Sequence, residues 1–175
     1  MLFRYTTYMT LTDQKQTGFT IVELLIVIVV VGILAVIIIV SYNGITSKAQ
    51  ETSVKHDMRN IAKQVEIYKL DDGQYPSSTK LKELGIKVNK QTYGVNPTGA
   101  TIFYCVDSTG SVFSIVARVK TSTLTKYLSS TGQTSVYTGS ATAPQLCLDS
   151  GVPGTTSTVT YTAFTENGAW FDWVN

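Results

Sequence analysis

The sequence predicts an α+β protein in which a long N-terminal α-helix, half membrane-spanning and half amphipathic, packs on a small antiparallel β-sheet head. The first observation is an apolar run from Phe19 to Val40 that continues into an amphipathic stretch with no proline before Pro76. The second is that the remaining sequence contains short β-rich runs separated by turn residues. Once the apolar run and the residues before it are subtracted, about 135 residues remain, which suits one small domain.

The apolar run is long enough to cross a membrane. Between Phe19 and Val40 its 22 residues include only two polar side chains, Thr20 and Glu23. At about 1.5 Å per helical residue the run extends roughly 33 Å, which matches a hydrocarbon core of about 30 Å. The sequence therefore predicts one transmembrane helix over residues 19–40.

Three interpretations of this run differ in where the chain is processed. A secretory signal has an apolar core of about 7–15 residues and ends at small residues of the A-x-A type, a pattern that the following SYNGITSKAQ lacks. A plain anchor has the right length but leaves Glu23 unexplained, because a carboxylate inside a bilayer costs free energy unless it is paired or hydrated. The third interpretation places a cut just before Phe19.

The helix is predicted to continue beyond the membrane as an amphipathic half over residues 41–71. Five apolar side chains recur there at spacings of four and three residues, which places them on one face: Val54, Met58, Ile61, Val65 and Tyr68. This face is expected to pack against the head. One continuous helix from Phe19 to about Leu70 follows from the two halves together.

The run DDGQYPSS is predicted to end the long helix, because its glycine and proline do not continue a helix. A short helix that carries Leu81 and Leu84 is expected next. Ser77 or Ser78 is its predicted N-cap, and Gly85 closes it.

The head, residues 72–175, is predicted to be rich in β-strands. The runs TIFYCVD and SVFSIVARV around the turn residues DSTG predict a hairpin from Thr101 to Val119. From Thr121 to Thr162, 19 of 42 residues are Ser or Thr, a composition that suits short strands and loops rather than helix. Two further strands are expected around ENG near the C-terminus, with Trp170 and Trp173 in the core.

The junction KQTG|FTIVELLIVIVVVGILA resembles the class III signal of type IV pilins and pseudopilins. The shared features are a polar leader that ends in Gly18, then Phe19, then Glu23, then an unbroken apolar helix. The run Y…DDGQYPSS is similar to the end of the long helix in many members of that family. The resemblance implies a pilin-like fold and a leader over residues 1–18, with Met1 and Met9 both open as its start.

In that family a prepilin peptidase cleaves after the glycine and methylates the new N-terminal amine. The resemblance therefore implies cleavage between Gly18 and Phe19 and methylation of Phe19. It also implies a helical homo-oligomeric filament in which Glu23 meets the amine of a neighbouring subunit, so that neither charge is left buried alone. A Glu23 that is simply hydrated at the cytoplasmic interface is the alternative.

The same resemblance implies where the protein resides and what assembles it. The precursor is expected in the cytoplasmic membrane as a single-pass protein with its N-terminus inside, and the assembled subunit in an extracellular pilus or at the cell surface. An assembly platform with its ATPase is the implied machinery, together with prepilin peptidase. The net charge of +2 does not indicate a nucleic-acid partner.

Two cysteines, Cys105 and Cys147, allow one intramolecular disulfide. Both lie in the part of the chain that is exported if the N-terminus stays inside, and an oxidising compartment links such cysteines. We predict a bridge between the hairpin and the Ser/Thr-rich region, with free thiols as the alternative.

The sequence does not predict an enzyme, a cofactor or a metal site. His56 is the single histidine, so neither a His-dependent triad nor a multi-histidine metal site can be built. Nucleotide-binding, serine-hydrolase and zinc-protease motifs are not found. Four acidic residues could supply calcium ligands by type, but their spacing does not match an EF-hand and surface positions are expected for them: Asp71, Asp72, Asp107 and Asp149.

The main functional prediction is a structural subunit of a type IV pilus that serves adhesion, motility or DNA uptake. The first alternative is a pseudopilin of a type II secretion or competence system. The second alternative is a single-span anchored binding domain that does not polymerise. A glutamate next to a Gly|Phe junction argues against this last reading, because a plain anchor needs neither feature.

Overall fold

The computed structural model describes residues 18–94, 96, 99–120 and 123–175. The predicted leader therefore lies outside the described residues, apart from Gly18. The chain divides into two compact units, Met1–Tyr42 and Asn43–Asn175. Helix α1, Ile21–Asp72, contributes residues to both units, which confirms the predicted long helix to within two residues at each end.

In the first unit, α1 carries the apolar run and leaves it uncovered. The large apolar side chains from Phe19 to Val40 are all exposed. By length and composition, this is the one helix among the described residues that could cross a membrane. Exposure of so much apolar surface to water is unfavourable in free energy, so this segment requires a lipid or protein environment.

In the second unit, α1 forms the spine of the head. The predicted apolar face is buried at Val54, Met58, Ile61 and Val65, while Tyr68 is half-buried. The helical spacing of these residues is what aligns them toward the sheet. The prediction of an amphipathic half that packs on the head is therefore confirmed.

Five strands form one antiparallel sheet in the order β4-β3-β2-β1-β5. The β1–β2 pair is the predicted hairpin, with Tyr104 opposite Ile115. Its strands alternate between the face toward α1 and the opposite face, as the two-residue period of a strand requires. The strands are β1 (Ile102–Val106), β2 (Phe113–Arg118), β3 (Leu124–Leu128), β4 (Gln133–Val136) and β5 (Thr160–Ala163).

The short helix after the long one is also present, as α2, Ser78–Glu83. Ser77 is its N-cap, and the side chain of Ser77 accepts a hydrogen bond from the Lys80 amide. Gly85 adopts a φ of 63°, a left-handed conformation that glycine adopts without strain.

A buried carboxylate on α1 binds the segment that follows α2 through hydrogen bonds. Asp57 accepts hydrogen bonds from the Asn89 amide at 2.8 Å and from the Tyr93 hydroxyl at 3.0 Å. Burial raises the pKa of Tyr93 above its ordinary range, and Asp57 adds to this shift. Tyr93 therefore remains a hydrogen-bond donor to the spine helix at all physiological pH values.

The Ser/Thr-rich region is predicted to contain strands and loops, and the structure differs from this prediction at one short helix. Strands and loops form most of it, but Gln145–Asp149 is a short helix, α3. Leu146 and Cys147 on α3 are buried, so packing onto the sheet decides the conformation where composition favoured strand or loop.

The last strands form a small hairpin of β6 (Thr165–Glu166) and β7 (Ala169–Trp170). This confirms the two strands predicted around ENG, whose turn places Asn167 at a φ of 48°. Trp170 and Trp173 are half-buried against the main core and therefore lie at its edge rather than inside it.

The sheet has a core on each face. Among the described residues, nineteen buried apolar side chains, including Tyr104 and Phe113, form the core on the α1 face. Seven form a smaller core on the opposite face. The smaller core contains the disulfide between Cys105 in β1 and Cys147 in α3, so the predicted bridge is confirmed.

Candidate functional site: the N-terminal end of the long helix

The predicted processing residues lie at the accessible end of α1. Gly18, Phe19 and Thr20 precede the helix in an irregular conformation, and Phe19 is 90% exposed. Apart from its chain neighbours, no heavy atom of the described residues would lie within 4 Å of a Cβ atom added to Gly18. The fold of the described chain therefore does not require glycine at this position.

Glu23 is held by the first turn of its own helix. Its Oε2 accepts hydrogen bonds from the Thr20 amide and the Thr20 hydroxyl, both at 2.8 Å. The Thr20 hydroxyl in turn accepts a hydrogen bond from the Glu23 amide at 3.2 Å. This reciprocal arrangement is a capping box, which satisfies backbone donors that a helix start leaves without partners.

Sequence reasoning missed this role of Glu23. The signal was present, because TIVE has the S/T-x-x-E spacing of a capping box directly before an apolar run. The structure therefore gives Glu23 a local partner in addition to the intersubunit role that the resemblance implies. No hydrogen bond within the described residues uses its second oxygen, Oε1.

The electrostatics of this end favour an anion. The unpaired amides at a helix N-terminus carry partial positive charge, which stabilises a carboxylate in the first turn. Glu23 is the acidic residue of that turn. Beyond it, the 17 residues from Leu24 to Val40 carry no charge, so Glu23 is the only charge in the apolar half of α1.

The acidic residues considered for calcium do not come together. The Asp107 carboxylate binds its own loop, with hydrogen bonds from Thr109, Ser111 and Val112. Asp149 accepts hydrogen bonds from the Ser140 amide and the Gln145 side chain. In the part of the chain that the structure describes, three His, Cys, Asp or Glu side chains do not gather at any point into a possible metal site.

His56 lies exposed on α1, as its place on the polar side of the helix predicts. Its Nδ1 is 3.1 Å from the side-chain amide of Asn60. This contact is a surface hydrogen bond between residues four apart on one helix.

Comparison with known families identifies two consecutive regions of the chain. The family model described as the prokaryotic N-terminal methylation motif matches residues 13–39. The model described as type II secretion system protein G matches residues 42–135, which is more than half of the chain. The first match covers the candidate processing site, and the second covers the amphipathic half of α1 and most of the sheet.

The chain is similar to several proteins named type II secretion system core protein G. The protein from Pseudomonas aeruginosa is 32% identical over 107 residues, which cover 59% of this chain and 75% of the relative. Those from Dickeya chrysanthemi and Aeromonas hydrophila are each 33% identical, over 49% and 48% of this chain, and the chain spans only 54% and 57% of their lengths. No solved structure gives a significant match.

These matches favour the pseudopilin, the first alternative, over the surface pilus of the main prediction. They also agree with the prepilin-type resemblance of the N-terminus. The motif and the apolar helix together indicate a membrane-anchored precursor. By the match over residues 42–135 and the similarity to the Pseudomonas protein, the chain belongs to the type II secretion system protein G family.

Proposed function

We propose that this protein is a non-enzymatic structural subunit, a pseudopilin, that polymerises into a filament of a type II secretion machine. One observation carries the proposal: a protein G match over residues 42–135 follows directly on a methylation motif over residues 13–39. The α1 helix contains parts of both matches. The proposed partners are further copies of this chain, a prepilin peptidase, and the assembly platform with its ATPase.

In this proposal the precursor is cleaved between Gly18 and Phe19, and the new amine of Phe19 is methylated. The exposure of Phe19 supports access by a peptidase. Among the described residues nothing crowds a side chain at Gly18, which supports a requirement for glycine that comes from outside the fold, such as the fit of a peptidase active site.

Glu23 is the proposed assembly residue. Cleavage places a positive amine at the head of an apolar helix, where it needs a counter-charge once water is excluded. Glu23 is the only charge in the apolar half of α1 that can meet such an amine from a neighbouring subunit. Its Oε1 has no hydrogen-bond partner among the described residues and can accept that amine.

The surface pilus stays the second candidate function. It is favoured by the Ser/Thr-rich region, where 19 of 42 residues are Ser or Thr and only two carry charge. Such a surface is compatible with an exposed fibre.

Loss of the protein in its own host separates the two candidates. We expect a deletion strain to retain exported proteins in the cell while surface fibres of other subunits persist, and the wild-type gene should restore export. Mass spectrometry of sheared surface material gives the second readout. Abundant fibres of this chain with unchanged export would favour the pilus, and a chain that is never found in fibres or complexes of itself would favour a plain anchor.

A further inference from the structure

The segment 137–159, termed the far-face layer, covers the face of the sheet that is turned away from α1. It includes α3, and its buried apolar side chains are Tyr137, Leu146, Cys147, Val152 and Val159. With Cys105 and Val116 from the sheet they form the smaller core of seven side chains, against nineteen in the main core. Two of the seven are the bridged cysteines, so little apolar burial other than the bridge holds the layer in place.

Besides its apolar contacts and a backbone hydrogen bond from Tyr137 to Leu124 in β3, the layer is attached to the sheet through Ser150. The Ser150 hydroxyl lies 2.5 Å from the hydroxyl of Ser114 in β2, and the Ser150 carbonyl accepts a hydrogen bond from the Lys126 side chain in β3 at 3.2 Å. The disulfide supplies the attachment to β1. The layer, which the chain joins to β4 and β5 at its two ends, is thus cross-linked to β1 by the disulfide and attached to β2 and β3 by hydrogen bonds.

The far-face layer contains little regular secondary structure, and local hydrogen bonds such as those from the Ser140 amide and the Gln145 side chain to Asp149 hold its loops. Its helix α3 is five residues long, and its N-cap, Pro144, makes no capping hydrogen bond through its side chain. Helices this short are not stable without tertiary contacts. The match to the protein G family ends at residue 135, before the layer begins. The match covers α1 from residue 42, strands β1 to β3 and most of β4, and the layer lies beyond it.

We propose that the Cys105–Cys147 bridge is a redox latch on the far-face layer. With the bridge formed, the layer is closed on the sheet; with both cysteines as thiols, the layer opens while the α1 face of the head stays folded. Opening uncovers the far side of the sheet, including Val116 and the partly buried Phe103 and Leu124. The thiol state of one cysteine pair thus sets whether the head presents this apolar surface.

The chemistry of the latch is thiol–disulfide exchange with a dithiol. One thiolate of the dithiol attacks a sulfur of the bridge and forms a mixed disulfide, and its second thiolate then displaces that sulfur. The dithiol leaves as a cyclic disulfide, having given two electrons, and Cys105 and Cys147 each take up a proton as thiols. Both cysteine side chains are 0% exposed, so the dithiol reaches the bridge during brief local fluctuations of the layer, and the layer stays open only once both thiols have formed.

Hydrogen exchange measured by mass spectrometry on the processed full chain in detergent tests the latch. Dithiothreitol is the dithiol probe, and oxidised and reduced samples are compared. We expect amides of the far-face layer to exchange at least tenfold faster after reduction, while those of β2 and of residues 54–65 in α1 change less than twofold. A layer whose exchange does not change, or equal acceleration in β2 and α1, would overturn the proposal.

Two variants complete the test. Replacement of both cysteines, Cys105→Ala with Cys147→Ala, should show fast exchange in the layer without any reductant. Ser150→Ala removes the hydroxyl contact to Ser114 but keeps the bridge, so its oxidised form should keep the layer protected. Loss of protection in oxidised Ser150→Ala, to the same extent as in the reduced wild type, would assign the latch to Ser150 and contradict the proposal.

Discussion

The proposed assembly role of Glu23 can be separated from its capping role by two substitutions at the same position. Glu23→Gln removes the charge but retains an oxygen that can accept from the Thr20 amide, whereas Glu23→Ala removes both. Loss of a helix cap costs about 0.5–2 kcal/mol. Loss of one partner from a poorly hydrated charge pair costs on the order of 3–5 kcal/mol. The charge is therefore expected to dominate filament formation.

We expect both Glu23 variants to insert, to be cleaved and to fold their heads, yet to form few filaments. Thr20→Val keeps the charge and loses the hydroxyl of the cap, so it serves as the matched control and should assemble much better. Filament yield by electron microscopy, normalised to the processed pool on blots, is the measurement. Normal filaments from Glu23→Gln with none from Glu23→Ala would show that the cap matters and the charge does not, which refutes the pairing argument.

Three further predictions concern processing, packing and pH. Gly18→Leu should stop cleavage, seen as a precursor on blots, without a change in head stability, because Gly18 lies in the first unit, outside the head. Ile61→Ala should destabilise the head by about 2–5 kcal/mol in urea melts, whereas Ile67→Ala, at a 53% exposed position, should change it by less than about 0.5 kcal/mol. Burial raises the pKa of Asp107, but hydrogen bonds from its loop outweigh burial and hold this pKa below its ordinary value. The Asp107 carboxylate therefore stabilises the head at pH values above its unfolded-state pKa of about 3.9, and this contribution disappears as the pH falls through its lowered native pKa. Asp107→Asn should flatten the acid side of a plot of unfolding free energy against pH. An unchanged acid side would contradict this.

The elements that the sequence predicted well are those set by periodicity. The spacing of Val54, Met58, Ile61 and Val65 defines a single buried face, and the structure buries all four. The β1–β2 hairpin likewise followed from two alternating runs around a turn. In both cases the local pattern and the tertiary packing demand the same conformation.

The far-face layer could not be predicted in the same way, because its structure depends on contacts distant in sequence. The run QLCLD becomes helical where Leu146 and Cys147 reach the sheet. The hydroxyl contact between Ser114 and Ser150 joins residues 36 apart, and no periodic pattern encodes it. Composition indicated short strands and loops for this region, and tertiary packing changed one of them into α3.

At the candidate site, the resemblance indicated which residues matter, and the structure adds how one carboxylate can serve two purposes. Oε2 of Glu23 is engaged by Thr20 of the same chain, while Oε1 has no hydrogen-bond partner among the described residues. A carboxylate has about four acceptor positions on its two oxygens. A neighbour's amine can therefore bind at Oε1 without breaking the capping box, and the cap limits the conformations of the side chain before that amine arrives. Because fewer side-chain conformations are then lost on assembly, we expect Thr20 to make the pairing of Glu23 more favourable than it would be for a carboxylate that is free to rotate.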